Sequence, residues 1–94
     1  GPDGGVISGG ISVTVQDLGT LTGNVTPTPT PAAPSAGDFL LVTWEFGASV
    51  YTLTWGSGFY GTAKADYRAR VNSRHLYMFI YTDRWDLLSW RTDI

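Results

Sequence analysis

Between Phe39 and Phe46 apolar and mixed positions alternate strictly: Leu40, Val42, Trp44 and Phe46 fall on one side of an extended backbone, and Phe39, Leu41, Thr43 and Glu45 on the other. Successive side chains of a strand point to opposite faces, so this period of two predicts a strand with one fully apolar face. Phe46-Gly47-Ala48-Ser49 supplies a turn. The pattern resumes with Tyr51, Leu53 and Trp55 set against Val50, Thr52 and Thr54, until Gly56-Ser57-Gly58 breaks it. From Phe59 to Val71 alternation continues for thirteen residues and predicts a long strand bent at Gly61. A helix over Ala63 to Val71 competes, because Ala63, Tyr67 and Val71 also recur at four-residue spacing.

Asn72-Ser73 reads as a tight turn. His75 to Tyr81 is apolar on both faces, the pattern of a central strand covered on each side. Thr82 to Asp86 reads as a turn or a single helical turn, and Leu87 to Ile94 as the last strand, with Leu88 and Trp90 sharing a face with Ile94. Upstream, Ile11 to Val15 alternates as a half-buried strand would, a turn follows at Asp17-Leu18-Gly19, and Thr20 to Val25 reads as a return strand. A lone two-stranded hairpin is marginal in water, so this one has to lean on the later segment or on copies of itself. The first ten residues hold five Gly and one Pro and read as extended or disordered. The expected fold is therefore all-β: a small antiparallel β-sandwich or barrel of about five to seven strands, preceded by a Pro/Thr-rich linker.

That linker is Thr26 to Gly37, where proline alternates with threonine and fixes extended conformations at itself and at the residue before it. It reads as a stiff spacer, and Thr26 to Pro34 would span about 28 Å at polyproline rise. Three segments result: a Gly-rich lead-in with a possible β-hairpin or shaft over 1–25, the Thr-Pro linker over 26–37, and an aromatic-rich head over 38–94. All thirteen aromatic residues and all six Lys and Arg residues lie in the head. Aromatics bury large areas, which a head this short needs to be stable without any disulfide.

Charge and composition narrow the function classes. The head carries six basic and six acidic side chains. That balance argues against a nucleic-acid partner, which calls for clustered positive charge. No apolar run is long enough to cross a membrane as a helix, and no basic-then-apolar leader is visible, so no membrane insertion is expected. Gly1-Pro2 fits the remnant of a cleaved tag as well as a native start.

Catalytic constellations are missing from the pattern. His75, the only histidine, opens the most apolar strand without a nucleophile at a recognisable spacing, and reads as structural. The head's carboxylates fall at strand ends and turns, not as an acid/base pair across a cleft. One His, no Cys and no spaced Asp/Asn/Gly loop leave no metal site, and no cofactor motif appears, since Gly56, Gly58 and Gly61 lack the Lys and helix of a phosphate cradle. A non-enzymatic protein is expected.

Recognition residues are then sought among the aromatics. Trp44, Trp55 and Trp90 sit on apolar strand faces and read as core. Tyr60 beside the Gly-rich loop and Trp85 between Arg84 and Asp86 are the exposed candidates, and with Arg84 and Tyr51 they form the candidate ligand-binding set. The polar positions Lys64, Asp66, Arg68 and Arg70, with Arg74, read as a solvated or subunit-facing strand.

In layout the chain resembles viral and phage projection modules such as fibre tips and capsid protrusions: Ile11 to Val25 as shaft, Thr26 to Pro34 as stalk, Asp38 to Ile94 as head. That resemblance implies a homo-oligomer (trimer or dimer), display on a virion surface or extracellularly, and attachment to a host-surface glycan or protein receptor. A carbohydrate-binding module of a secreted multidomain enzyme is the main alternative, and a structural assembly or scaffold protein the second.

Overall fold

The structure, a computed structural model, describes residues 12–94, so the first ten residues and Ile11 of the expected hairpin lie outside it. It is all-β. Five strands, β1 (Val13–Thr20), β2 (Phe39–Phe46), β3 (Phe59–Tyr60), β4 (Ser73–Tyr81) and β5 (Trp85–Arg91), form one mixed sheet in the spatial order β1-β2-β4-β5-β3. The sheet curls into a half-barrel.

Its centre follows from the alternation. β2 and β4 pair antiparallel from Phe39↔Ile80 to Phe46↔Ser73. Leu40, Val42, Trp44 and Phe46 are buried on the inner face opposite Ser73, His75, Tyr77 and Phe79. β4 and β5 form a hairpin through Thr82-Asp83-Arg84.

The expected antiparallel pairing does not extend beyond these three strands. β1 and β2 pair in parallel, as do β3 and β5. The expected hairpin at Asp17-Leu18-Gly19 is an irregularity inside one strand: the Asp17 carboxylate accepts the Gly19 N–H at 2.9 Å, with Gly19 at φ 67°, and the register shifts between Asp17 and Thr20. Leu21 N–H then donates to Glu45 O at 2.9 Å, and the Leu21 side chain enters the core.

The long strand expected over Phe59 to Val71 is reduced to Phe59–Tyr60. Gly61, at φ 84°, turns the chain into a 3-10 turn over Thr62–Lys64, and neither a ladder nor the competing helix follows. Tyr51 to Trp55 likewise makes only an isolated parallel bridge, Val25↔Leu53. Alternation in these segments sets which side chains point inward, while side chains supply the anchoring that a ladder would have given. Tyr77 O–H donates to Ala65 O, and Leu53 N–H donates to the Tyr67 hydroxyl at 2.9 Å. These irregular segments cover the inner face, where Leu21, Leu53, Phe59 and Ala65 complete the core and Tyr51, Trp55 and Tyr67 pack against it.

The Thr-Pro tract belongs to the same cover, which corrects its reading as a free linker. Pro27 is buried and its carbonyl accepts Gly56 N–H at 2.9 Å; Val25 exchanges backbone bonds with Thr52 and Thr54 at 3.0 and 2.9 Å. Gln16 grips the tract from β1, its Nε2 donating to Thr28 O at 2.9 Å and its Oε1 accepting Thr30 N–H at 3.2 Å. Proline lacks a donor but keeps its carbonyl, and each intervening threonine keeps both groups, so an extended Thr-Pro segment is well suited to dock against other backbone.

The outer face is less covered than the two-sided apolarity of β4 predicted: Leu76, Met78 and Ile80 are only half-buried. The ladder sets them in cross-strand rows. Val13, Phe39, Ile80 and Asp86 form one; Val15, Leu41, Met78 and Ser89 the next; Asp17, Thr43, Leu76 and Arg91 the third. Val13 and Val15 are 61% and 60% exposed. Trp90, expected in the core, is 44% exposed. A bulge at Leu88 shifts the register of β5, and β3 reaches only Trp85 and Asp86, so among the described residues no strand covers Trp90 from the outer edge.

Candidate functional site

The short β3–β5 ladder places the candidate residues. Phe59 pairs with Trp85 and Tyr60 with Asp86, so the side chains of the hairpin turn arrive beside Tyr60. Arg84 Nε donates to Asp86 Oδ1 at 2.9 Å, and its guanidinium carbon sits 4.7 Å from the centre of the Tyr60 ring. Tyr60 is 45% exposed. Gly58, at φ 101°, lets the chain approach the tract so closely that a Cβ there would lie 2.8 Å from Pro29 Cγ.

An open groove of about 270 Å3 results, with Pro29, Pro31 and Pro34 on one side and Tyr60, Arg84 and Asp83 on the other. Trp85 and Tyr81 form its base, their rings 5.1 Å apart and edge-on. Three of the four candidates, Tyr60, Arg84 and Trp85, are thus brought together. Trp85 is a correction in one respect: it is 3% exposed, because it opens β5 instead of sitting in the turn, and it serves as a floor, not a platform. Tyr51 does not join the groove; it packs half-buried against the core. The proline wall has no local signal in the sequence, because it depends on the approach of Pro29 to Gly58.

A second polar arrangement surrounds His75. Its Nε2 lies 2.9 Å from Ser73 Oγ, and its Nδ1 lies 2.7 Å from Thr92 Oγ1 and 3.3 Å from the Asp93 amide nitrogen. The Asp93 N–H can only donate, so Nδ1 accepts and Nε2 carries the proton of the neutral ring. Nε2–H then donates to Ser73 Oγ, whose hydroxyl donates to Arg70 O at 2.5 Å, while Arg68 N–H donates to Thr92 Oγ1 at 2.8 Å. In this tautomer the imidazole gives Ser73 a hydrogen bond and cannot take its proton, so the pair lacks the polarity of a nucleophile and its base. The chain of bonds ties the segment around Arg68 and Arg70 to β4 and the C-terminal residues. Arg68 and Arg70 also approach Asp93 at 3.9 and 3.3 Å, and Arg74 approaches Glu45 at 3.6 Å. Ser73 and His75, two apart on a strand face, were the available signal for this network.

Burial holds the His75 pKa below its ordinary value of 6.5, with the Asp93 carboxylate opposing. Two carboxylates are lowered as well. The Ser35 backbone N–H, at 2.8 Å, is the main cause for Asp38, with burial opposing; for Asp17 it is the Gly19 N–H, followed by the Thr43 hydroxyl. The His75 contribution is therefore complete above the unfolded-state value of 6.5 and is lost as pH falls below it toward the folded-state value. The contributions of Asp17 and Asp38 are lost only below 3.8. Urea midpoints measured from neutral to about pH 4 should fall first in the histidine range, and His75→Gln should flatten that segment alone. An unchanged profile in the variant would place the acid sensitivity elsewhere.

The chain matches no protein-family model, no curated protein and no solved structure.

Proposed function

We propose that this domain is a non-enzymatic attachment module that holds a neutral sugar ring of a host-surface glycan in the Tyr60–Arg84 groove. The observation that carries this reading is the convergence of Tyr60, Arg84 and Trp85 with three proline rings around one open groove. Flat aromatic and proline surfaces suit the C–H face of a sugar, and Arg84 and Asp83 supply a donor and an acceptor for its hydroxyls. Asp86 already offsets the charge of Arg84, and Asp83 adds a negative charge at the rim, so the groove favours a neutral sugar over an anionic one. A groove of this size accommodates one ring, with the rest of the glycan outside. The same geometry would serve a virion or phage projection at a host surface, or a carbohydrate-binding module holding an enzyme on its polysaccharide.

Neutral glycans are expected to bind on an array, and sialylated or sulfated ones are not. Tyr60→Ala and Arg84→Ala should each weaken binding by about tenfold or more while leaving the thermal midpoint nearly unchanged, both side chains being largely exposed. Absence of neutral-glycan binding, or undiminished binding by Tyr60→Ala, would overturn the reading.

A further inference from the structure

On the reading that Tyr60 and Arg84 hold a neutral sugar ring, we infer that Asp86 is the positioning residue that sets which glycans the groove admits. It fixes the Arg84 guanidinium against the Tyr60 ring and offsets the charge that would otherwise draw in a carboxylate or sulfate. Asp86 is suited to hold another side chain because its own backbone is fixed from both sides: it pairs with Tyr60 of β3 in one ladder and with Ile80 of β4 in the other. Its Oδ1 accepts Arg84 Nε–H at 2.9 Å while the guanidinium carbon stands 4.7 Å from the Tyr60 ring centre. Arg84 itself comes from the hairpin turn, and a long side chain without such an anchor would spread over many rotamers. Asp86 does not line the groove, so it acts on a ligand only through Arg84.

Donor geometry and charge pull in opposite directions at this pair. With Nε taken by Asp86, the two Nη groups of Arg84 have no hydrogen-bond partner among the described residues. A guanidinium that presents both amino groups can hold a carboxylate bidentately as readily as two sugar hydroxyls. Geometry alone therefore admits acidic sugars. The Asp86 carboxylate, in direct contact with the guanidinium, disfavours them, and Asp83 on the rim adds to the effect. Neutralising Asp86 while keeping its oxygen should change what the groove selects, whereas removing the oxygen should change how well it binds at all. The Arg84 and Asp86 side chains are 53% and 38% exposed, so the pair adds little to folding and its variants should keep the thermal midpoint within about 2 °C.

The test is a glycan array of matched pairs, each neutral oligosaccharide printed with and without a terminal sialic acid, probed with the full chain and two variants. The wild type is expected on the neutral member of a pair. Asp86→Asn keeps an acceptor for Arg84 Nε–H, so its neutral binding should stay within about threefold of wild type while its sialylated-to-neutral ratio rises about tenfold or more. That gain should fade in about 0.5 M salt, where exposed charges are screened. Asp86→Ala loses the acceptor too and should bind both members about fivefold more weakly than Asp86→Asn. Asp83 keeps its charge in all three proteins, so the change in ratio belongs to Asp86. A residue with only a structural role would lower both members together and leave the ratio alone. No neutral-glycan binding by the wild type overturns the groove reading and this inference with it. Neutral binding by the wild type with an unchanged ratio in Asp86→Asn overturns this inference alone, as does an Asp86→Ala variant that binds like Asp86→Asn.

Discussion

Trp44→Ala is expected to lose about 3–5 kcal/mol of folding stability, a large share of the roughly 5–15 kcal/mol available to a small domain. The side chain is fully buried at the middle of the sheet and contacts both layers of the core. Within the sheet it stacks on His75 and Tyr77 of β4, at ring distances of 5.0 and 5.3 Å. Across the core it meets Trp55 and Tyr67 of the covering segments edge-on, at 5.7 and 5.6 Å. Those segments have few ladder bonds of their own, so ring contacts such as these, with those of Trp55 on Tyr77 and Phe79, hold them to the sheet. Its Nε1 is buried without a protein hydrogen-bond partner among the described residues. Trp44→Phe therefore removes an unsatisfied donor along with some ring area and should be far milder, at about 1–2 kcal/mol. Urea unfolding followed by circular dichroism measures both. An alanine variant within about 1 kcal/mol of wild type would mean that the covering layer is held by something other than this ring.

What the alternation made legible, and what it did not, divides along a physical line. For β2 it specified every inward residue from Leu40 to Phe46, because a strand paired on both sides and buried on one face has both its backbone partners and its side-chain directions set by the same period. Over Phe59 to Val71 the identical period was present, yet Ala65 and Tyr67 point inward from a segment with no ladder. Periodicity reports one-sided burial of an extended chain; it does not report whether another strand lies beside it. Parallel pairing of β1 with β2 was hidden for a related reason, since no local signal distinguishes a strand that turns back from one that crosses over. The groove was half legible. Tyr60 and Arg84 stood out as exposed chemistry near Gly and turn residues, whereas the proline wall depends on a contact between residues nearly thirty positions apart in the chain, Pro29 with Gly58.

That contact belongs to the docked tract, and Gly56→Ala tests the docking most directly. A Cβ on Gly56 would lie 2.4 Å from Pro27 O and 3.2 Å from Pro27 C. Both are backbone atoms, so no rotamer change relieves the clash, and either the tract or the Gly56 segment has to move. Movement would also strain the bond from Gly56 N–H to Pro27 O. The expected cost is about 1–3 kcal/mol, with faster hydrogen exchange at the Gly56 amide and new proteolytic cleavage between Thr26 and Pro34. Gly23→Ala is the matched control: nothing lies within 4 Å of its Cβ and its φ is not in the left-handed region, so it should be neutral or slightly stabilising. A free spacer would make the two variants behave alike. Because Pro29, Pro31 and Pro34 form one wall of the Tyr60 groove, a tract loosened at Pro27 should also weaken whatever the groove binds, without any change to Tyr60 or Arg84 themselves. Stability and binding are thus expected to fall together in Gly56→Ala and separately in Tyr60→Ala, a contrast that arises only if the Thr-Pro segment is part of the folded head.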